Sequence, residues 1–155
     1  MFKNNFFYLF LAVFLISSCS NNQVKYENTE ALVADAKTNI STISVSELNL
    51  IVSKKGKYML IDCREEEEFA ESHIKGAINI PRGKIEFSNK LPNKNTKVYI
   101  YSNNSNRAAL AGIALKKIKF SDVFVLDGGL FEWTKIYSKA IEKSSDTEEE
   151  DDDSC

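Results

Sequence analysis

The sequence predicts an α/β domain built on a parallel sheet, and three observations carry that prediction. Four short apolar runs recur along the chain: "KYMLID" (Lys57 to Asp62), "GAINIP" (Gly76 to Pro81), "KVYIY" (Lys97 to Tyr101) and "DVFVLD" (Asp122 to Asp127). Segments with helix-spaced apolar residues stand before, between and after them, and strands alternating with helices are the pattern of a parallel sheet with crossovers. In such sheets ligands sit outside the carboxyl ends of the strands. Asp62, Ser102 and Asp127 each fall at or just past such an end.

Taken in order, "TEALVADAKTNI" has helical spacing at Leu32, Val33, Ala36 and Ile40. "SVSELNLIVSKKG" is a second helix. Ser44 and Glu47 form a capping box, Val45, Leu48, Ile51 and Val52 make the stripe, and Gly56 supplies the stop. After the first strand, "REEEEFAES" reads as a short helix whose acids suit the positive end of its dipole. "GAINIP" is a strand ended by proline, and "RGKIEFSNKL" a short helix or loop. "KVYIY" is a buried strand. The helix "SNRAALAGIALKKI" follows, with Leu110, Ala111, Ala114, Leu115 and Ile118 on its buried side. After "DVFVLD", the glycine pair Gly128 and Gly129 turns the chain into a last helix that carries Trp133 into the core.

The two ends differ from this middle. "FFYLFLAVFLI" (Phe6 to Ile16) follows one lysine and is short for a bilayer span, so residues 1–18 read as a signal peptide. The competing reading is a short anchor left uncleaved. "ISSC" (Ile16 to Cys19) resembles a bacterial lipobox, which implies a lipid on Cys19 and a tether over 19–27. The expected location is therefore the cell envelope, lipid-anchored and outside the cytoplasm, with the membrane as partner through Cys19. The domain is expected over 28–143. Residues 144–155 form an acidic tail expected to be disordered: "DTEEEDDD" holds seven of the 22 Asp and Glu residues. The chain from Cys19 to Ser145 carries 19 Lys and Arg against 15 Asp and Glu, without a basic block, which excludes a nucleic-acid patch.

The centre of interest is "VYIYSNNSNRAALAG" (Val98 to Gly112): a strand, a polar loop and a helix. Successive backbone N–H groups at a helix start attract anions. The anion-binding loop is therefore Ser102, Asn103, Asn104, Ser105, Asn106 and Arg107. A serine nucleophile needs a base, and the chain has one histidine, His73. Three cysteines and one histidine are not spaced as a metal site, so no metal and no cofactor are expected.

"LIDCREEEEFAESHIKGAINIP" (Leu60 to Pro81), the Ser102 loop and "VFVLDGGLFEW" (Val123 to Trp133) together resemble a rhodanese domain, in order and spacing, from about Ile43 to Ile141. The resemblance implies a central parallel sheet of about five strands flanked by helices on both faces. It also implies sulfurtransferase chemistry, in which a cysteine at the first loop position carries sulfur as a persulfide. Ser102 stands at that position and Arg107 matches the closing arginine. Asp62 and Arg64 match the family's Asp-x-Arg and are expected to brace fold and loop. An alcohol oxygen cannot hold sulfane sulfur, and His73 is expected to pack away from the loop. The reading is therefore a catalytically inactive, membrane-tethered module that binds a small anion or a protein partner.

Two alternatives stand beside it: a sulfurtransferase using Cys63, or a structural envelope lipoprotein whose acidic tail binds. Cys63 is expected to pack as a small apolar residue, and Cys155 to be a poor nucleophile among acids. Ser102 is expected to be a solvated loop hydroxyl or a helix cap. Arg107 is expected either to meet an anion or to pair with Asp62 or Glu65. "EEEE" (Glu65 to Glu68) is expected to be a solvated helix start.

Overall fold

The computed structural model describes residues 25–54 and 56–143. The signal segment, Cys19, the acidic tail and Cys155 lie outside them. Helix α1 (Thr29–Thr38) starts behind Asn28, whose side chain accepts from the Ala31 amide at 2.8 Å. Strand β1 (Ser41–Ile43) leads into α2 (Val45–Ser53). There the Ser44 and Glu47 capping box forms, the Glu47 amide donating to Ser44 Oγ at 3.2 Å and the Ser44 amide to Glu47 at 3.1 Å. The other end of α2 differs from expectation. The Lys54 amide closes it onto the Ile51 and Val52 carbonyls, and Gly56 lies beyond the stop.

Next come β2 (Met59–Asp62), α3 (Glu66–Glu71), β3 (His73–Ile74) and β4 (Ile78–Asn79). A 3₁₀ turn over Arg82–Phe87 follows. Then β5 (Val98–Tyr101), α4 (Ser105–Lys117), β6 (Val123–Leu126) and α5 (Gly129–Ile136) complete the main layers. A second 3₁₀ turn, Ser138–Ala140, leads to β7 (Ile141–Glu142).

Five strands form one sheet in the order β1-β6-β5-β2-β4, and all four pairings are parallel. The fifth strand is β1, which the four apolar runs do not include; α1 stops at Thr38, so Ile40, expected on that helix, lies beyond its end. β3 and β7 pair antiparallel as a separate ribbon, His73 opposite Glu142 and Ile74 opposite Ile141. Each has two residues, too few to show alternation.

Alternation in β5 divides the core into two layers. Val98 and Ile100 face one layer with Ile61, Cys63, Ile85, Ala108, Leu115 and Val125, under α1, α4 and the first 3₁₀ turn. Tyr99 and Tyr101 face the other with Leu48, Leu60, Leu126, Leu130 and Trp133, under α2 and α5. Trp133 and Tyr101 are fully buried, and each large side chain so buried contributes about 1.5–3 kcal/mol. On α4 the buried face is centred one step from expectation. Ala108 and Ala109 are buried, while Leu110 and Ile118 are only partly covered.

Candidate functional site

The loop between β5 and α4 sits at the carboxyl end of the central strand. Its backbone is held from the α5 side: the Leu130 amide donates to the Ser102 carbonyl at 2.8 Å and the Phe131 amide to the Asn103 carbonyl at 3.0 Å. That approach requires glycine at 129. Its φ is +62°, and a Cβ there would lie 2.4 Å from the Ser102 carbonyl oxygen. Asn104 caps α4, accepting from the Asn106 amide at 3.0 Å. Ser105 opens the helix, half-buried, and Asn106 is exposed.

Ser102 departs from the expected solvated hydroxyl. It is 1 % exposed. Its Oγ donates to the Asn104 carbonyl and accepts from the Ala108 amide at 3.3 Å. The helix cap is Asn104, so Ser102 serves as an internal tie within the loop. Neither partner is a base that could take its proton.

Arg64 lies between Asp62 and the loop. Its Nε lies 3.0 Å from both Asp62 oxygens and its Nη2 2.7 Å from Oδ2, with Asp62 fully buried and Arg64 nearly so. Nη2 also donates to the Ser72 carbonyl at 2.5 Å, and Nη1 to Asn103 Oδ1 at 3.2 Å. Asn79 ties the segment down further, its Nδ2 donating to the Asp62 carbonyl at 3.2 Å and the Arg64 carbonyl at 2.9 Å.

Arg107 takes a partner that was not expected. Its Nη1 lies 2.8 Å from Glu68 and 3.9 Å from Glu65, and Asp62 belongs to Arg64 instead. Glu68 also accepts from Asn103 Nδ2 at 2.7 Å and from the Glu65 amide at 3.1 Å. Burial works against the Glu68 carboxylate. The bonds from Arg107, the Glu65 amide and Asn103 outweigh it and hold the carboxyl below its ordinary value. Glu68 is therefore a loop ligand, which corrects its reading as part of a solvated helix start. The same acid helix reaches outward too, Glu66 pairing with Lys84 at 2.7 Å.

Cys63 is fully buried and packs in the sheet layer. Burial and the Asp62 carboxylate push its thiol up to about 12, against the opposing pull of Arg107 and Arg82. At neutral pH it is a thiol, not a nucleophilic thiolate. His73 stacks on Phe69, with ring centroids 3.7 Å apart. Its Nδ1 lies 2.8 Å from the Phe69 carbonyl oxygen and its Nε2 3.8 Å from Glu142. Both nitrogens thus face groups outside the loop. Among the described residues, no group of three or more His, Cys, Asp and Glu is arranged to hold a metal ion.

Glu68, Asn79 and the α5 amides are the site groups that the sequence pattern does not single out. A signal for Glu68 exists: it stands three residues after Glu65, the spacing at which a side chain returns to the start of its own helix. Nothing local marks Asn79, because its contacts depend on β4 lying beside β2.

The family model for the rhodanese-like domain matches residues 44–136. A Bacillus subtilis protein named as a sulfur carrier is 30% identical over 97 residues, covering 63% of this chain and 52% of that protein. A Mycobacterium tuberculosis protein named as an adenylyltransferase/sulfurtransferase is 37% identical over 118 residues, covering 72% of this chain and 30% of that protein. The chain thus spans about half of the first relative and under a third of the second. Among solved structures, a rhodanese-like domain from Anabaena superposes with a TM-score of 0.62 at 19% identity, covering 74% of this chain and 87% of that one. A human single-domain sulfurtransferase gives 0.58 at 22% identity, covering 61% and 96%. The five-stranded parallel sheet is the fold of these neighbours, and with the matched motifs it makes this chain a member of the rhodanese-like domain family.

Proposed function

We propose that this rhodanese-like domain does not transfer sulfur and works as a binding module, recognising a small anion or a protein partner at its Ser102 loop. The signal over 1–18 and a lipid on Cys19 place it at the cell envelope in this reading. One observation carries it: the group at the family's sulfur-carrying position is a hydroxyl, buried and already bonded to Asn104 and Ala108 within the loop. An oxygen there forms no persulfide, and neither of the two groups it bonds, the Asn104 carbonyl and the Ala108 amide, is a base for hydrolysis. The loop's backbone and the start of α4 remain as a seat for an anion. An anion there would compete with Glu68, which engages both Asn103 and Arg107.

A second reading keeps sulfur transfer and assigns it to Cys63. It draws support from the relatives named as sulfurtransferases and from Arg107 and Arg82, whose charges favour a thiolate at Cys63. Full burial of that sulfur counts against it.

Thiosulfate-to-cyanide sulfur transfer by residues 20–155 separates the two, with Ser102→Cys and Cys63→Ala assayed alongside. The expected result is a silent native chain and turnover in Ser102→Cys, because one atom then restores the chemistry to an intact loop. Turnover by the native chain that Cys63→Ala abolishes would overturn the proposal in favour of the second reading. Silence in both native and Ser102→Cys chains would remove the case for an intact anion seat.

A further inference from the structure

The two ends of the sheet carry opposite charge. At the carboxyl ends of the strands, of the four acids Glu65 to Glu68, Lys84 offsets Glu66 and Arg107 offsets Glu68. Asp127, exposed just after β6, adds to the surplus. The amino ends are basic. The parallel registers bring Met59, Val98 and Val123 level. Lys57 and Lys97, ahead of β2 and β5, therefore emerge side by side, and the Met59 amide donates to the Lys97 carbonyl at 2.9 Å. The last turn of α4 brings Lys116 and Lys117, and Lys119 follows it. Lys94 closes the group: its Nζ donates to the Ile118 carbonyl and lies 4.8 Å from the centre of the Phe120 ring.

Five of these lysines are exposed and Lys116 is half-buried. Among the described residues the lysines in ion pairs are Lys75, Lys84 and Lys135, so none of the six has a carboxylate partner. The bordering acids are mostly engaged. Asp35 accepts from Tyr26 and Asn39, and Glu86 pairs with Arg82. Asp122, ahead of β6, is the exception. Like charges gathered on one surface repel one another and attract an anionic partner.

The chain carries a segment of that chemistry. Residues 146–153 hold seven carboxylates. They begin three residues and end ten residues past Lys143, where the described chain stops. An extended backbone spans about 35 Å over ten residues, well beyond the radius of gyration of about 13 Å for a domain of this size. The lysine end is thus within reach, while the acid surplus at the loop end repels the run. Joining the two by a short link makes their contact intramolecular, so many weak pairs act together.

We infer that the acidic run Asp146–Asp153 lies across the lysine end of its own domain, on the side opposite the Ser102 loop. The tail then neutralises the basic end and leaves the loop mouth uncovered. This assignment is independent of what the loop binds and of the lipid on Cys19.

The test is a spin label on Cys155 in residues 20–155, read by amide resonances. Cys63 is fully buried, so the label goes to the tail. In about 0.01 M salt, where the Debye length is about 30 Å, the amides of 94–97 and 116–119 should lose most of their intensity. They should recover it in about 1 M salt, where that length is about 3 Å. The amides of Asn103 to Asn106 should keep theirs throughout. Two variants should abolish the loss: one with Asn or Gln at the seven acidic positions, and the surface triple Lys57→Gln, Lys97→Gln and Lys117→Gln. An even loss over the whole surface, a stronger loss at the loop, or an unchanged loss in either variant would overturn the inference. So would a loss seen when the label sits on a separate chain mixed with the observed one, which would give the tail to a second copy. Phosphatidylglycerol vesicles that shift the lysine-end amides equally in the native and neutral-tail chains would show that end open to another anionic surface, and would overturn it too.

Discussion

Two arginine–carboxylate pairs meet at Asn103, and solvent treats them differently. Arg64 and Asp62 are 4 % and 0 % exposed and sit 2.7 Å apart. Arg107 and Glu68 are 40 % and 29 % exposed and sit 2.8 Å apart. The distances are nearly equal, yet the energetics are not. Removing one member of a buried pair strands a charge in the protein interior, which costs about 3–5 kcal/mol. A pair open to water is worth about 0–1 kcal/mol. Asn103 joins them, taking a bond from Arg64 on its oxygen and giving one to Glu68 from its nitrogen. The inner pair therefore sets where the loop stands, and the outer pair trims its mouth.

The largest expected effect tests the inner pair. Asp62→Ala should lose about 3–5 kcal/mol in urea unfolding, because Arg64 is left buried without its counter-charge. A loss under about 1 kcal/mol would show water reaching Arg64 and would erase the contrast with Arg107. The backbone hold comes next. Gly129→Ala combines a φ of +62° with a Cβ 2.4 Å from the Ser102 oxygen, so α5 or the loop must shift. We expect a loss of about 1–3 kcal/mol and displaced Ser102 and Asn103 amide resonances. Gly76→Ala is the control: its φ is +78° but nothing lies within 4 Å. It should cost about 1 kcal/mol and leave the loop signals in place. Equal losses in both would mean that strain alone, not the close approach to Ser102, governs position 129.

In the sequence, Asp62 and Arg64 are expected to brace without a stated bond between them, and Arg107 to meet an anion or pair with Asp62 or Glu65; the structure keeps Glu65 at 3.9 Å and adds Glu68 at 2.8 Å. Asp62 and Arg64 are two residues apart at a strand end, so their bond is local and the motif contains it. Arg107 and Glu68 are 39 residues apart and meet only after β2 and β5 pair. The Glu65-to-Glu68 spacing marks a bond at the helix start, but nothing local marks Glu68 as the partner of Arg107 until the fold brings them together. The same distinction holds in the scaffold. Long elements such as α4 announce themselves through periodicity. β3 and β7, two residues each, pair His73 with Glu142 and Ile74 with Ile141 across most of the domain's sequence, and exist only as a tertiary pairing. Burial followed the same rule. Ser102 looked like a solvated loop hydroxyl because its neighbours are polar, but the Leu130 amide that holds its carbonyl arrives from far downstream, on α5.

The smallest effect is the sharpest probe of the outer pair. Glu68→Gln keeps the shape of the side chain and removes its charge. Arg107 loses its partner but stays in contact with water, so unfolding should change by under about 1 kcal/mol. Acid provides an independent check. Glu68's carboxyl is held below its ordinary value, so its contribution is present in full above the ordinary carboxylate range. It is lost as pH falls through the lowered folded value, where the native carboxylate finally takes its proton. The native chain should therefore lose slightly more stability than Glu68→Gln on acidification, and the two curves should converge at the acid end. A double-mutant cycle with Arg107→Gln isolates the pair. A coupling above about 2 kcal/mol would place the outer clamp in the same class as the inner one. The loop mouth would then be as rigid as its base, with little freedom to release Arg107 to an incoming anion.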